Sequence, residues 1–202
     1  DYDTAPDTLD VSFNNDGVEL TKGGVVSVAD LDVSDVTDMT IDAKDGAEPN
    51  SDGAGGFEVR TIANSDDLET VSVSADSQFL FGTDGGADGI DLTDIVAFAD
   101  GIKSIDGSDV SGPFGASAAK NTGNDAAGVS ITGGDGADVL ITGAGEDEVD
   151  GGAGADTIYV LNNAQTGVDV DELTGGEGSD TFIFDSDNDD GHDIEDFTTG
   201  SG

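Results

Sequence analysis

Along the first 120 residues, apolar and polar side chains alternate in short runs: LDVSF (9–13), VVSVADLDV (25–33), DMTIDA (38–43), FEVRTI (57–62), LETVSVSA (68–75) and FLF (79–81). Val, Thr, Ile and Phe at a period of two, broken by Asp-Gly and Asn-Ser pairs, predict short β-strands with one face buried. Two runs share a finer pattern, UxxUxUxA with U apolar. It comprises Val36, Met39, Ile41 and Ala43, then Leu68, Val71, Val73 and Ala75, with a partial echo at Ile102 and Ile105. A motif that returns at variable spacing suits successive coils of an irregular parallel β-helix, with a β-sandwich as the alternative. DLTDIVAFADGI (91–102) is the one stretch compatible with a short helix, capped by Asp91 or Thr93.

Beyond residue 130 the period changes to nine. GGDGADVLI (133–141), TGAGEDEVD (142–150) and GGAGADTIY (151–159) run contiguously, and GGEGSDTFI (175–183) follows after an interruption. All fit GGxGxDxUx, except that Thr142 stands where the first glycine belongs. Each unit divides into a glycine turn of six residues and an extended triplet whose central apolar residue faces inward: Leu140, Val149, Ile158 or Phe182. Two units close one coil of 18 residues with a turn at each edge, and stacked coils form a parallel β-roll. The interruption, VLNNAQTGVDVDELT (160–174), is nine plus six residues long, so it replaces one unit and bulges. That arithmetic returns Asp180 to the edge of Asp138 and Asp156, and leaves Asp147 on the opposite edge with Asp169 or Asp171 as partner. Upstream, NDAAGVSIT (124–132) keeps Ile131 at the apolar position but has Val129 in place of the aspartate, and is expected to be a capping strand.

Charge turns this geometry into chemistry. The formal net charge is −41, from 46 acidic residues against five basic ones, and no Lys or Arg follows Lys120. Stacking sets equivalent aspartates about 4.8 Å apart. Two carboxylates at that distance repel by roughly 3–4 kcal/mol at an effective dielectric near 20. With no internal counter-charge, the stack requires an external cation. Calcium suits it, because it accepts about six to eight carboxylate and carbonyl oxygens in flexible geometry, whereas magnesium demands a tighter octahedron. The same charge repels nucleic acid and anionic membrane. No apolar run approaches the roughly 20 residues of a membrane span, so membrane insertion is not expected.

These units resemble the calcium-binding repeats-in-toxin (RTX) nonapeptides of proteins secreted by Gram-negative bacteria. The resemblance implies that calcium sits between adjacent turns, held by the sixth-position aspartate and the turn carbonyls. Carried over to this chain, it assigns Asp138 with Gly133, Gly134, Asp135 and Gly136, and Asp147 with Gly143 and Gly145. It likewise assigns Asp156 with Gly151, Gly152 and Gly154, and Asp180 with Gly175, Gly176 and Gly178. It also implies export in an unfolded state and folding by several calcium ions outside the cell. The DIEDF segment (193–197) is similar to one that often follows such repeats. A rival reading takes Asp185, Asp187, Asp189, Asp193 and Asp196 as an EF-hand-type loop, against which stand Asp190 where glycine belongs and His192 where an apolar residue belongs.

The expected fold is therefore all-β: an irregular β-solenoid, or β-sandwich, over 1–122, followed by an RTX β-roll with a C-terminal cap over 123–202. The first part is similar to the ladder coils of RTX-bearing bacterial surface-layer proteins. HExxH and GxSxG are absent and His192 is the sole histidine, expected in a solvated turn, so no enzyme is expected. DGAEPNSD (45–52) and DGGADGID (84–91) are secondary calcium candidates. The functional expectation is an extracellular calcium-binding structural protein of a surface layer, filament or matrix that assembles with itself. An adhesin stalk, or the accessory region of a larger secreted enzyme, is the alternative.

Overall fold

The computed structural model describes residues 8–12, 25–28, 31–43, 56–63, 66–82, 95–98, 101–119, 128–161, 170–185 and 192–196. In chain order the strands are β1 (Thr8–Ser12), β2 (Val25–Val28), β3 (Leu31–Asp32), β4 (Asp38–Ala43), β5 (Gly56–Val59) and β6 (Ile62–Ala63). Next come β7 (Thr70–Ala75), β8 (Gln78–Phe81), β9 (Ser104–Val110), β10 (Phe114–Ser117), β11 (Ser130–Thr132), β12 (Val139–Ile141) and β13 (Glu148–Asp150). The last are β14 (Ala153–Gly154), β15 (Thr157–Val160), β16 (Glu172–Thr174), β17 (Glu177–Gly178), β18 (Thr181–Phe184) and β19 (Asp193–Ile194).

Two long sheets face each other. One has the order β1-β4-β7-β9-β11-β13-β16-β19, the other β18-β15-β12-β10-β8-β5-β2, and the pairs β3-β6 and β14-β17 lie at the turns. Every strand ladder among the described residues is parallel. The chain thus alternates between the sheets and advances one strand per coil, which is a solenoid; the sandwich alternative for the N-terminal part is overturned.

Register shows why the sequence winds this way. In the first sheet Leu9, Met39, Val71, Ile105, Ile131, Val149, Leu173 and Ile194 stand in one unbroken row. Opposite them run Ala116, Leu140, Ile158 and Phe182. A coil closes only if it contributes an apolar residue to each row. Burial of one such aliphatic side chain contributes about 1.5–3 kcal/mol. The UxxUxUxA motif lands in register, with Met39, Ile41 and Ala43 beside Val71, Val73 and Ala75. Between them Thr40, Asp42 and Ser72 face solvent.

The irregular coils fill their wider interior with aromatic rings. Phe81 packs edge-on against Phe79, Phe98 and Phe114, with centroids 5.1, 4.8 and 6.2 Å away. Phe98 belongs to the stretch compatible with a short helix. Instead, Ala97 makes a parallel bridge to Ser117, and the Phe98 N–H donates to the Ser117 carbonyl. Extended backbone wins here because it delivers Phe98 into the core, where it is buried. The expected capping strand at 124–132 is also corrected: β11 lies inside the first sheet, between β9 and β13. The candidate clusters at 45–52 and 84–91 lie outside the described residues.

Candidate metal centre

The turns that carry chain from the first sheet to the second stack as 133–138, 151–156 and 175–180. Their sixth-position aspartates form a ladder. Asp138 Oδ1 accepts the Phe114 N–H at 2.8 Å, Asp156 Oδ1 the Asp138 N–H at 2.8 Å, and Asp180 Oδ1 the Asp156 N–H at 3.1 Å. Asp138 and Asp156 are 18 residues apart and Asp156 and Asp180 are 24, so the 15-residue interruption does substitute for one unit plus a six-residue bulge.

The opposite edge gathers Val129, Asp147, Asp171 and His192. The Val129 N–H donates to Asp147 Oδ1 at 2.7 Å, and the Asp147 N–H to Asp171 Oδ1 at 2.9 Å. Asp171 is therefore the partner across from Asp147, while Asp169 lies outside the described residues. Asp138, Asp156 and Asp180 meet on one edge; Asp147 does not join them.

Within the turns, the second carboxylate oxygen distinguishes the repeats. Asp138 Oδ2 accepts the Gly134 N–H at 2.7 Å, and Asp147 Oδ2 the Gly143 N–H at 2.8 Å. In the 151–156 turn the matching donor, Gly152 N–H, turns to Asp150 Oδ1 at 3.0 Å. Asp156 Oδ2 is left buried without a hydrogen-bond partner. A buried carboxylate oxygen in that condition costs about 1–3 kcal/mol or more unless something binds it.

Backbone conformation follows the same division. Gly152 and Gly154 have φ of 92° and 138°, and Gly176 and Gly178 have φ of 87° and 146°, so these two stacked turns share a left-handed form. It aligns β14 with β17. A Cβ built on Gly151 would lie 2.5 Å from the Gly175 carbonyl oxygen and 2.6 Å from Asp156 Oδ2. Position one of this turn must be glycine because carbonyl and carboxylate oxygens converge over it. The same holds at Gly133, faced by the Gly151 carbonyl and Asp138 Oδ2, and at Gly175, faced by Asp180 Oδ2. Asp135 and Gly136 lie on the first of these turns, where the Asp135 N–H donates to the Val110 carbonyl and ties the repeats to the preceding coil.

Burial pushes Asp138 up to about 7, against the lowering effect of its N–H bonds from Gly134 and Phe114, and the charge of Asp156 adds to the rise. Burial likewise pushes Asp156 up to about 6, with the charges of Asp180 and Asp150 raising it further. Asp171 rises to about 6 through burial as well. On the edge of Asp138 and Asp156 the carboxylates are held where their ionised forms are disfavoured unless positive charge arrives.

A calcium ion fits this edge. The orphaned Asp156 Oδ2, the Gly175 carbonyl and the neighbouring Asp180 supply hard oxygen donors from two adjacent turns. Among the described residues no three Asp, Glu or His side chains form a cluster, so a bound ion would need main-chain carbonyls as well as carboxylates. When bound, the cation supplies the charge that the buried carboxylates lack and cross-links successive coils.

Four residues outside the assigned set shape the site. Thr142, in place of a glycine, is buried, and its Oγ1 accepts the Leu161 N–H at 2.9 Å where the long coil begins. Asp171 and His192 continue the second edge. On the first edge the Asp196 carboxylate accepts the Gly175 and Gly176 N–H groups at 3.1 and 2.7 Å, where Gly133 and Gly151 donate to the Asp150 and Thr174 carbonyls. Asp193 opens β19 beside β16, so Asp193 and Asp196 serve the solenoid; Asp187 and Asp189 of the EF-hand reading lie outside the described residues. The histidine is not solvated, because its side chain is only 5% exposed. His192 lies 21 residues from Asp171, a spacing that matches neither the 18-residue coil nor the 24-residue long coil, so the sequence pattern carries no sign that it continues the ladder.

Comparison with known protein families matches the RTX calcium-binding nonapeptide repeat, in four copies, over residues 130–160 and 162–190. No curated protein and no solved structure matches the chain. The matched residues coincide with the coils whose aspartates form the two ladders, and over residues 130–190 this chain is an RTX calcium-binding repeat array.

Proposed function

We propose that the chain is an extracellular structural element without catalytic activity, in which calcium locks the RTX coils and the locked solenoid assembles end to end with further copies. The observation that carries this reading is the continuity of the stack. Strands of uniform direction run from β1 and β2 to β19 and β18, so the two ends of each sheet have matching polarity. Among the described residues β18 has no partner beyond β15, and it holds the exposed large apolar side chains, Ile183 at 38% and Phe184 at 40%. An uncovered parallel edge with apolar side chains is a template for another strand. A head-to-tail contact of this kind does not close on itself and propagates as a fibre or sheet. The net charge of −41 opposes such contact until cations neutralise it. No helix among the described residues is long and apolar enough to cross a membrane.

Sedimentation and negative-stain electron microscopy of the chain, with calcium and with EGTA, test the reading. Ordered fibres or sheets are expected in calcium only, and Ile183→Lys, at an exposed outward position of β18, is expected to abolish them while leaving calcium-induced folding intact. Monomers that persist at high calcium and high protein concentration would sink the assembly role and favour a stalk or accessory region.

A further inference from the structure

The two edges of the roll are built from different chemistry. We infer that calcium binds along the edge of Asp138, Asp156 and Asp180 only, and that the edge of Asp147 is a metal-independent hydrogen-bonded seam closed by His192. The inference rests on the calcium reading of the repeats and restricts it.

Along the seam each rung is already complete. Val129 N–H bonds Asp147, Asp147 N–H bonds Asp171, and Asp171 N–H bonds His192 Nδ1 at 3.1 Å, so the imidazole stands in the place of the next aspartate. The main chain repeats in parallel: the N–H groups of Glu148, Glu172 and Asp193 donate to the carbonyls of Val129, Asp147 and Asp171. Asp147 Oδ2 is taken by Gly143 N–H, and Asp171 Oδ2 lies 3.2 Å from His192 Nδ1. Both oxygens of Asp147 accept an N–H, in contrast to Asp156 Oδ2.

Charge and backbone agree with this division. The seam's four rungs contain two carboxylates, bounded by a valine and an imidazole, whereas the other edge stacks three carboxylates with no interruption, with Asp196 on the N–H groups of the 175–180 turn. A cation therefore has less repulsion to relieve along the seam. Gly145, with φ 105°, sits in a nonapeptide turn, and the adjoining segments 161–171 and 185–192 have one glycine each in place of the paired glycines. Among the described residues that edge has no counterpart of the paired left-handed turns 151–156 and 175–180.

Calcium titration of the full chain, followed by calorimetry and by native mass spectrometry for the number of ions, separates the edges. Asp156→Asn is expected to lose at least one ion or at least tenfold in affinity. Asp147→Asn is expected to keep the wild-type number of ions and an affinity within about twofold, with melting temperature lowered equally in calcium and in EGTA. Loss of an ion, or a smaller calcium-induced rise in melting temperature, in Asp147→Asn overturns the one-edge assignment. Should Asp147→Asn fail to fold, His192→Asn gives the same reading: an unchanged ion count supports the seam, and a lost ion refutes it. A wild-type chain that binds no calcium would instead refute the underlying calcium reading, so the two failures are distinct.

Discussion

Acid should stabilise the calcium-free protein. In EGTA the roll must bury Asp138 without a cation, and burial raises that carboxyl from its ordinary 3.8 to about 7. A group whose folded value exceeds its unfolded value binds more protons in the folded chain between those limits, so stability falls as pH rises from about 4 to about 7 and is regained on acidification. The rise corresponds to roughly 4 kcal/mol at Asp138. Asp156 and Asp171, each raised to about 6, act in the same direction. About 2.5 kcal/mol of this falls between pH 5 and pH 7.5, so at about 2–4 °C per kcal/mol for a chain of this size Asp138 alone accounts for a melting temperature roughly 5–10 °C higher at pH 5 than at pH 7.5. Differential scanning calorimetry in EGTA at the two pH values reads this directly, with pH kept above the isoelectric point of 4.1. Asp138→Asn should flatten the dependence, since the amide cannot ionise. In saturating calcium the increment due to the metal should shrink at pH 5, because protons compete for the same oxygens. A calcium-free melting temperature that is equal or lower at pH 5 would refute the claim that desolvated carboxylates limit the stability of the metal-free roll.

Gly151→Ala sets a methyl group against the Gly175 carbonyl and Asp156 Oδ2, and should cost about 1–3 kcal/mol of stability and at least tenfold in calcium affinity, read by urea titration and calorimetry. Phe81→Ala removes the ring against which Phe79, Phe98 and Phe114 pack, and should lower stability by about 3–5 kcal/mol in calcium without changing the number of ions bound. Asp196→Ala strips the acceptor from two turn N–H groups, one of them exposed, and should cost about 0.5–1.5 kcal/mol, with hydrogen exchange faster at Gly175 and Gly176.

Sequence alone determined the period of nine, the inward residues Leu140, Val149, Ile158 and Phe182, and the pairing of the two UxxUxUxA motifs, because a stacked coil repeats its neighbour's pattern at a fixed register. It also determined that the 160–174 interruption returns Asp180 to the edge of Asp156, since that follows from chain length. Tertiary structure alone decided what each aspartate does. Asp138, Asp147 and Asp156 occupy the same place in one motif, yet only Asp156 keeps a buried oxygen unpartnered, because Gly152 turns its N–H toward Asp150. It also decided that His192 and Asp196 join the two ladders, and that Ile95–Phe98 runs extended rather than helical. These outcomes depend on contacts between residues some 20 positions apart, where the hydrogen-bond partner and the aromatic neighbour come from the next coil and the local pattern is silent.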